Sequence, residues 1–210
     1  MNTQTRGNDS INGYVREFQR ALEGTPPEAI QATVECLFRA WTTDNQVFIL
    51  GNGGSASTAS HMGNDFSKAT IVAGKRRMRV ISLTDNVALM TAWGNDSSFD
   101  VIFSEQLENL LNAGDVVVAI SASGNSPNVL RAMEFARRTG AVTIAWTGRS
   151  GGRVKDLADH CLRVPSDDVG LIEGVHLVID HIVTGELRRA IDASDVRVAD
   201  DLPATAGARA

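Results

Sequence analysis

Cysteine occurs only twice in 210 residues, tyrosine once, proline five times and histidine four times. Cys36 and Cys161 lie far apart and form no CxxC pair, so the chain encodes neither a disulfide framework nor a cysteine zinc site. Two free thiols fit a reducing cytosol. No apolar stretch approaches the roughly 20 residues that a spanning helix needs, and the polar N-terminus carries no signal-peptide pattern. A cytoplasmic protein without a membrane partner is therefore expected. Positive charge is scarce as well: the formal net charge is -5, and no basic block stands out beyond Lys75-Arg76-Arg77. That balance argues against nucleic-acid binding. No internal repeat is present. With 43% apolar and 21% charged residues, the composition suits one well-buried globular domain with an appended helix or two.

What the chain does contain is an alternation of short apolar runs and helical patterns. Residues 1–9 are polar and expected to fray. From Ile11 to Trp41 apolar residues recur at helical spacing, with a break at Gly24-Thr25-Pro26-Pro27 where a proline opens the second helix. Segment 1–45 is thus expected to be a helical extension for oligomer packing. The runs Val47–Leu50, Arg79–Leu83, Val116–Ile120, Val142–Trp146 and His160–Val164 read as strands. Helical patterns between them include Ser104–Leu111 and Pro127–Thr139, and a last helix is expected over Leu171–Ile191. Short apolar strands separated by helices predict a three-layer α/β/α sandwich on a five-stranded parallel sheet, spanning 46–191. The remainder, 192–210, is expected to be a mobile tail. In such folds ligands collect beyond the carboxyl ends of the strands, so the turns at 51–57, 121–126 and 147–152 should share one rim.

Two of these turns invite an anion. Ser121-Ala122-Ser123-Gly124-Asn125-Ser126 offers hydroxyls and backbone N–H groups at the positive end of a helix. It has no lysine, which separates it from the nucleotide P-loop and suits a small phosphorylated metabolite. Gly51-Asn52-Gly53-Gly54-Ser55 is glycine-rich, yet it lacks the GxGxxG spacing and downstream acid of a dinucleotide fold. His61 and Asp65 stand four apart on the helix that follows, where they could bind zinc, act as an acid/base pair or simply form a surface pair. In the last helix Glu173, His176, Asp180 and His181 form a second group. Glu173 and His181 fall near one stripe after two turns, and His176 sits to one side. Should the two helices meet, His61, Asp65, Glu173 and His181 could make one four-ligand site. Asn95-Asp96 reads as a turn or helix cap.

In this order the segments GNGGSAS (51–57), SLTDN (82–86), WGND (93–96), GDVVVAISASGNSPNV (114–129), TGRSGG (147–152), RVPSDD (163–168) and E-x-x-H-x-x-x-x-H (173–181) resemble the SIS (sugar isomerase) domain, in its phosphoheptose isomerase branch. The resemblance implies a homotetramer with sites at subunit contacts, many holding zinc. It implies interconversion of sedoheptulose 7-phosphate and a heptose 7-phosphate. It places the phosphate on Ser121, Ser123 and Ser126 with Ala122 between them, and the sugar on Asn52, Gly53, Gly54, Ser55, Asn95 and Asp96. His61 and His181 match the metal-binding histidines; Asp65, Glu173 and His181 are the candidate catalytic residues.

Three positions depart from that pattern. Asp65 replaces Glu, Glu173 replaces Gln, and Leu171 stands where Arg is usual. Shortening Asp65 by a methylene retracts it by roughly an ångström, a misplacement that can reduce rate on the order of 10²-fold. Glu173 makes a His/Asp/Glu/His zinc site formally neutral, which favours a weaker Lewis acid or another divalent ion. The leading expectation is an aldose–ketose isomerase working through an enediolate. The alternatives are another sugar phosphate as substrate, or a non-catalytic scaffold similar to the DnaA initiator-associating protein.

Overall fold

A computed structural model describes residues 3–196, with side chains from Ser10 onward. Most of the expected tail, residues 197–210, lies outside the described residues. Five parallel strands, β1 (Gln46–Gly51), β2 (Arg79–Ser82), β3 (Val116–Ser121), β4 (Val142–Thr147) and β5 (His160–Arg163), form one sheet in the order β2-β1-β3-β4-β5. The sheet and the three-layer architecture are as expected.

The strands read clearly because both of their faces are covered. All six residues of β3 are buried. Alternate residues feed two separate cores. Val47, Ile49, Val116 and Val118 face Trp41, Phe66, Val175 and Ile179. Phe48, Leu50, Val117 and Ala119 face Leu107, Val129 and Met133. The first core is closed by α2 (Pro27–Thr42), α3 (Gly54–Lys68) and α7 (Val169–Ala193), and the second by α5 (Ser104–Leu110) and α6 (Pro127–Thr139). β2 is a four-residue edge strand with Ile81 exposed.

Three helix boundaries differ from expectation. α1 spans Thr3–Glu23, so most of the stretch expected to fray is helical. α7 starts two residues early, where the Asp168 carboxylate accepts a hydrogen bond from Leu171 N (3.0 Å), and it runs to Ala193. Asn95 and Asp96 occupy the last turn of α4 (Val87–Asp96) rather than a turn beyond it. Pro27 opens α2 as expected, with Pro26 at the cap. Segment 1–45 divides in its packing: α2 buries Val34, Leu37 and Trp41 in the protein's own core, whereas α1 leaves Ile11, Tyr14 and Val15 exposed.

Between β1 and β3 the chain reverses its direction of progress across the sheet, because β2 lies on the other side of β1. A crevice beyond the strand ends at such a switch point is the usual ligand site. The turns after β1 and β3 flank it. A partly open cavity of about 360 Å³ lies at the opposite edge of the sheet, lined by Cys36, Arg39, Val116, Val142 and His160. It is remote from the groups that carry chemistry.

Candidate functional site

The three expected turns do share a rim, and hydrogen bonds lock them together. Gly148 N donates to Ala122 O (3.0 Å), and Arg153 N donates to Asn125 Oδ1 (3.0 Å). Asn52 and Asn128 exchange paired amide hydrogen bonds of 2.8 and 2.9 Å between the glycine turn and α6. Gly124 has φ +65°, and a Cβ there would collide with the backbone of Gly151. Only glycine lets these two turns approach so closely.

Within the serine turn, Gly124 N donates to Ser121 O and Oγ (3.0 and 3.1 Å), and Asn125 N donates to Ser123 Oγ (3.2 Å). Ser126 occupies the N-cap of α6 but makes no capping hydrogen bond, and Pro127 follows it. Its hydroxyl is left for another acceptor at the positive end of the helix. In the glycine turn, Gly53 caps α3 and Ser55 is buried in its first turn.

α3 and α7 pack against each other, and this contact brings the two histidines together. His61 Nε2 and His181 Nε2 stand 3.0 Å apart. Asp65 Oδ2 lies 3.5 Å from His61 Nε2 and 3.9 Å from His181 Nε2. Asp180 completes the group, with Oδ2 at 3.9 Å from His61 Nε2. One donor atom from each of the four falls within 4.8 Å of all the others. Two imidazoles and two carboxylates facing one point make a donor set that suits a divalent cation. Asp180 is fully buried, and burial, followed by the nearby Asp65 carboxylate, pushes its pKa up to about 7.

Glu173, expected among the metal ligands, is not in this cluster. Its carboxylate lies against Gly54, in space that a Cβ at Gly54 would claim, and among the described residues it has no hydrogen-bond partner. The reason is helical geometry: Glu173 is eight residues, about 12 Å of helix rise, before His181. Its side chain turns to the start of α3 while His181 meets the middle. Asn95 and Asp96 are exposed, and among the described residues their side chains hydrogen-bond only to each other (2.7 Å), with no bond to the glycine or serine turns. His176 is a core residue. Its Nε2–H donates to Thr147 O (3.3 Å), its ring lies 5.8 Å from that of Trp146, and burial lowers its pKa to about 4.

The sequence-based site omitted two residues. Asn128 carries no local signal, because its partner is 76 residues away. Asp180 did carry one: it falls on the stripe Ile172, Val175, His176, Ile179, Val183, Leu187 that α7 buries, so a carboxylate interrupts an apolar face.

The model of the SIS domain matches residues 12–148. A phosphoheptose isomerase from Citrifermentans bemidjiense is 41% identical over 175 residues, covering 83% of this chain and 91% of that protein. A probable phosphoheptose isomerase from Thermoplasma acidophilum is 39% identical over 170 residues, covering 81% and 93%. The structure of phosphoheptose isomerase from Neisseria gonorrhoeae superposes with a TM-score of 0.80 at 30% identity, covering 90% of this chain and all of that one. Rim, histidine cluster and relatives agree: the chain belongs to the SIS-domain family, in its phosphoheptose isomerase branch.

Proposed function

We infer that this protein is an aldose–ketose isomerase acting on a phosphorylated heptose, converting sedoheptulose 7-phosphate to a heptose 7-phosphate. The observation that carries this reading is the meeting of His61, Asp65 and His181 where α3 packs on α7, in a chain whose rim bears a lysine-free serine turn. α3 joins the glycine turn to this cluster: His61 lies seven residues, about 10 Å, beyond Gly54.

The hydroxyls of Ser123 and Ser126 and the N-terminus of α6 hold the phosphate. Asn52, Gly53, Gly54 and Ser55 line the sugar. Asn95 and Asp96 reach a site only if a second subunit supplies or receives them. Asp65, the other candidate base, and His181, the candidate proton shuttle, both face the histidine cluster, 3.9 Å from each other. Glu173 is uncommitted and half-buried beside the glycine turn. Its carboxylate therefore takes a proton from C1, next to the C2 carbonyl, and returns it to C2, while the proton of the C1 hydroxyl passes to the C2 oxygen by exchange with solvent, so that the hydrogens balance. His61, Asp65 and His181 would hold a divalent cation, zinc in the first instance, which would supply polarisation of the carbonyl and stabilisation of developing negative charge.

Two surfaces support assembly into a tetramer. α4 is rich in apolar residues yet buries none of them, and Val87 and Phe99 are 62% and 59% exposed. α1 leaves Ile11, Tyr14 and Val15 uncovered. A cytoplasmic setting agrees with the two free cysteines, and no described helix is long and apolar enough to cross a membrane.

The test is incubation of the pure, metal-loaded protein with sedoheptulose 7-phosphate in heavy water. Aldose carrying solvent deuterium at C2 is expected. Absence of both product and label would sink the reading. Larger thermal stabilisation by a pentose or hexose phosphate than by any heptose phosphate would instead favour the second substrate class.

A further inference from the structure

We propose that Asp180 is the fourth protein ligand of the divalent cation, in the place that helical spacing alone gives to Glu173. This deepens the isomerase reading, since it concerns the cation of the same site.

Asp180 is fully buried, and its Oδ2 has no hydrogen-bond partner. Its other oxygen receives only a long contact from Thr184 Oγ1 (3.4 Å). Among the described residues no lysine or arginine pairs with it; the basic groups near it are His61, at 3.9 Å, and His181, within 4.8 Å, while Asp65 brings a like charge. A buried carboxylate on an apolar helix face, with one oxygen orphaned, is costly unless something compensates it. The orphaned oxygen points at the place where Asp65 Oδ2 and both histidine Nε2 atoms converge.

The spacing fits a cation. Four ligand atoms arranged tetrahedrally at zinc bond lengths stand about 3.3 Å from one another. The separations here are 3.0 Å between the histidine nitrogens, 3.5 and 3.9 Å from Asp65 to each of them, and 3.9 Å from Asp180 to His61, with Asp180 within 4.8 Å of Asp65 and His181. Side-chain closure by roughly 0.6 to 1.5 Å brings the longer ones to that value. Two carboxylates and two neutral imidazoles cancel the charge of a divalent ion, and the two oxygen donors admit manganese or cobalt beside zinc. With Asp180 in the coordination sphere, Glu173 is free to act on the substrate. The two acids of α7 thus divide the work.

The experiment is calorimetric titration of chelator-stripped full-length protein with zinc and with cobalt, for the parent, Asp180→Asn and Glu173→Gln. The parent should bind one ion per chain. Asp180→Asn should weaken binding by at least 10-fold and change the visible cobalt spectrum, while Glu173→Gln should bind within about 3-fold of the parent. The Asn variant leaves a neutral isostere in the core. Circular dichroism in chelator checks its fold, and the loss of the metal-induced rise in melting temperature gives a second readout. Equal affinity of Asp180→Asn and the parent, or a loss confined to Glu173→Gln, would overturn the assignment. A parent protein that isomerises the heptose phosphate but binds no ion would overturn it too, and would leave the isomerase reading standing. A parent that binds the ion through Asp180 without isomerising would support the assignment and overturn that reading.

Discussion

Gly54 and Glu173 compete for one volume, and the chain resolves the competition by omitting a side chain at the first residue of α3. The backbone of Gly54 is not left-handed, so Gly54→Ala is compatible with the helix and should change stability by less than about 1 kcal/mol. The methyl group must push the Glu173 carboxylate aside. Isomerase activity is expected to fall on the order of 10²-fold, while metal content stays that of the parent. Steady-state kinetics alongside elemental analysis would test this; unchanged kcat would exclude Glu173 as the base.

His176 and Asp180, one turn apart on α7, titrate against each other in the metal-free protein. His176 has its pKa lowered to about 4, so from there up to its ordinary 6.5 the unfolded chain binds more protons and stability rises with pH. Asp180 has its pKa raised to about 7, so from its ordinary 3.8 upward the folded chain holds the extra proton and stability falls with pH. Each slope is at most about 1.4 kcal/mol per pH unit. Urea midpoints between pH 4.5 and 6.5 in chelator should therefore climb more steeply with pH in Asp180→Asn than in the parent. They should climb less steeply, or fall, in His176→Gln, which keeps a donor for the Thr147 carbonyl. Parallel slopes in all three proteins would refute the opposition.

At the scale of elements, α7 serves the core and the site with one helix. Its inward stripe buries Ile172, Val175, Ile179, Val183 and Leu187 under the sheet, and the same register aims His176 at β4 and Asp180 at α3. α4 is the opposite case, an apolar helix with no buried residue that contacts chiefly the short 3₁₀ turn at Phe99–Val101. A surface of that kind is normally covered in an oligomer. Phe99→Asp should shift the protein to a smaller species in light scattering at micromolar concentration, with far-ultraviolet dichroism unchanged. An unaltered mass would remove this face from the subunit contacts.

At the scale of the whole molecule, the parallel sheet gathers the turns after β1, β3 and β4 at one edge, and strand order places the first two beside the switch point. The five strands, the glycine and serine turns and the two helices that carry His61 and His181 were legible in the sequence. Strands covered on two faces must be short continuous apolar runs, and turns that approach an anion closely need glycine or small hydroxyl residues. Those requirements are local, so composition and spacing expressed them. Other features depended on packing between distant segments. The Asn52–Asn128 pair bridges 76 residues and the His61–His181 contact 120. The angle at which α3 meets α7 put Asp180 beside the two histidines and left Glu173 against Gly54. Periodicity fixes which face of a helix a residue occupies, but only the crossing of two helices fixes which partner that face meets. The sequence by itself thus determined the sheet, the rim and the chemistry at hand, while the tertiary structure decided which carboxylate sits beside the histidines.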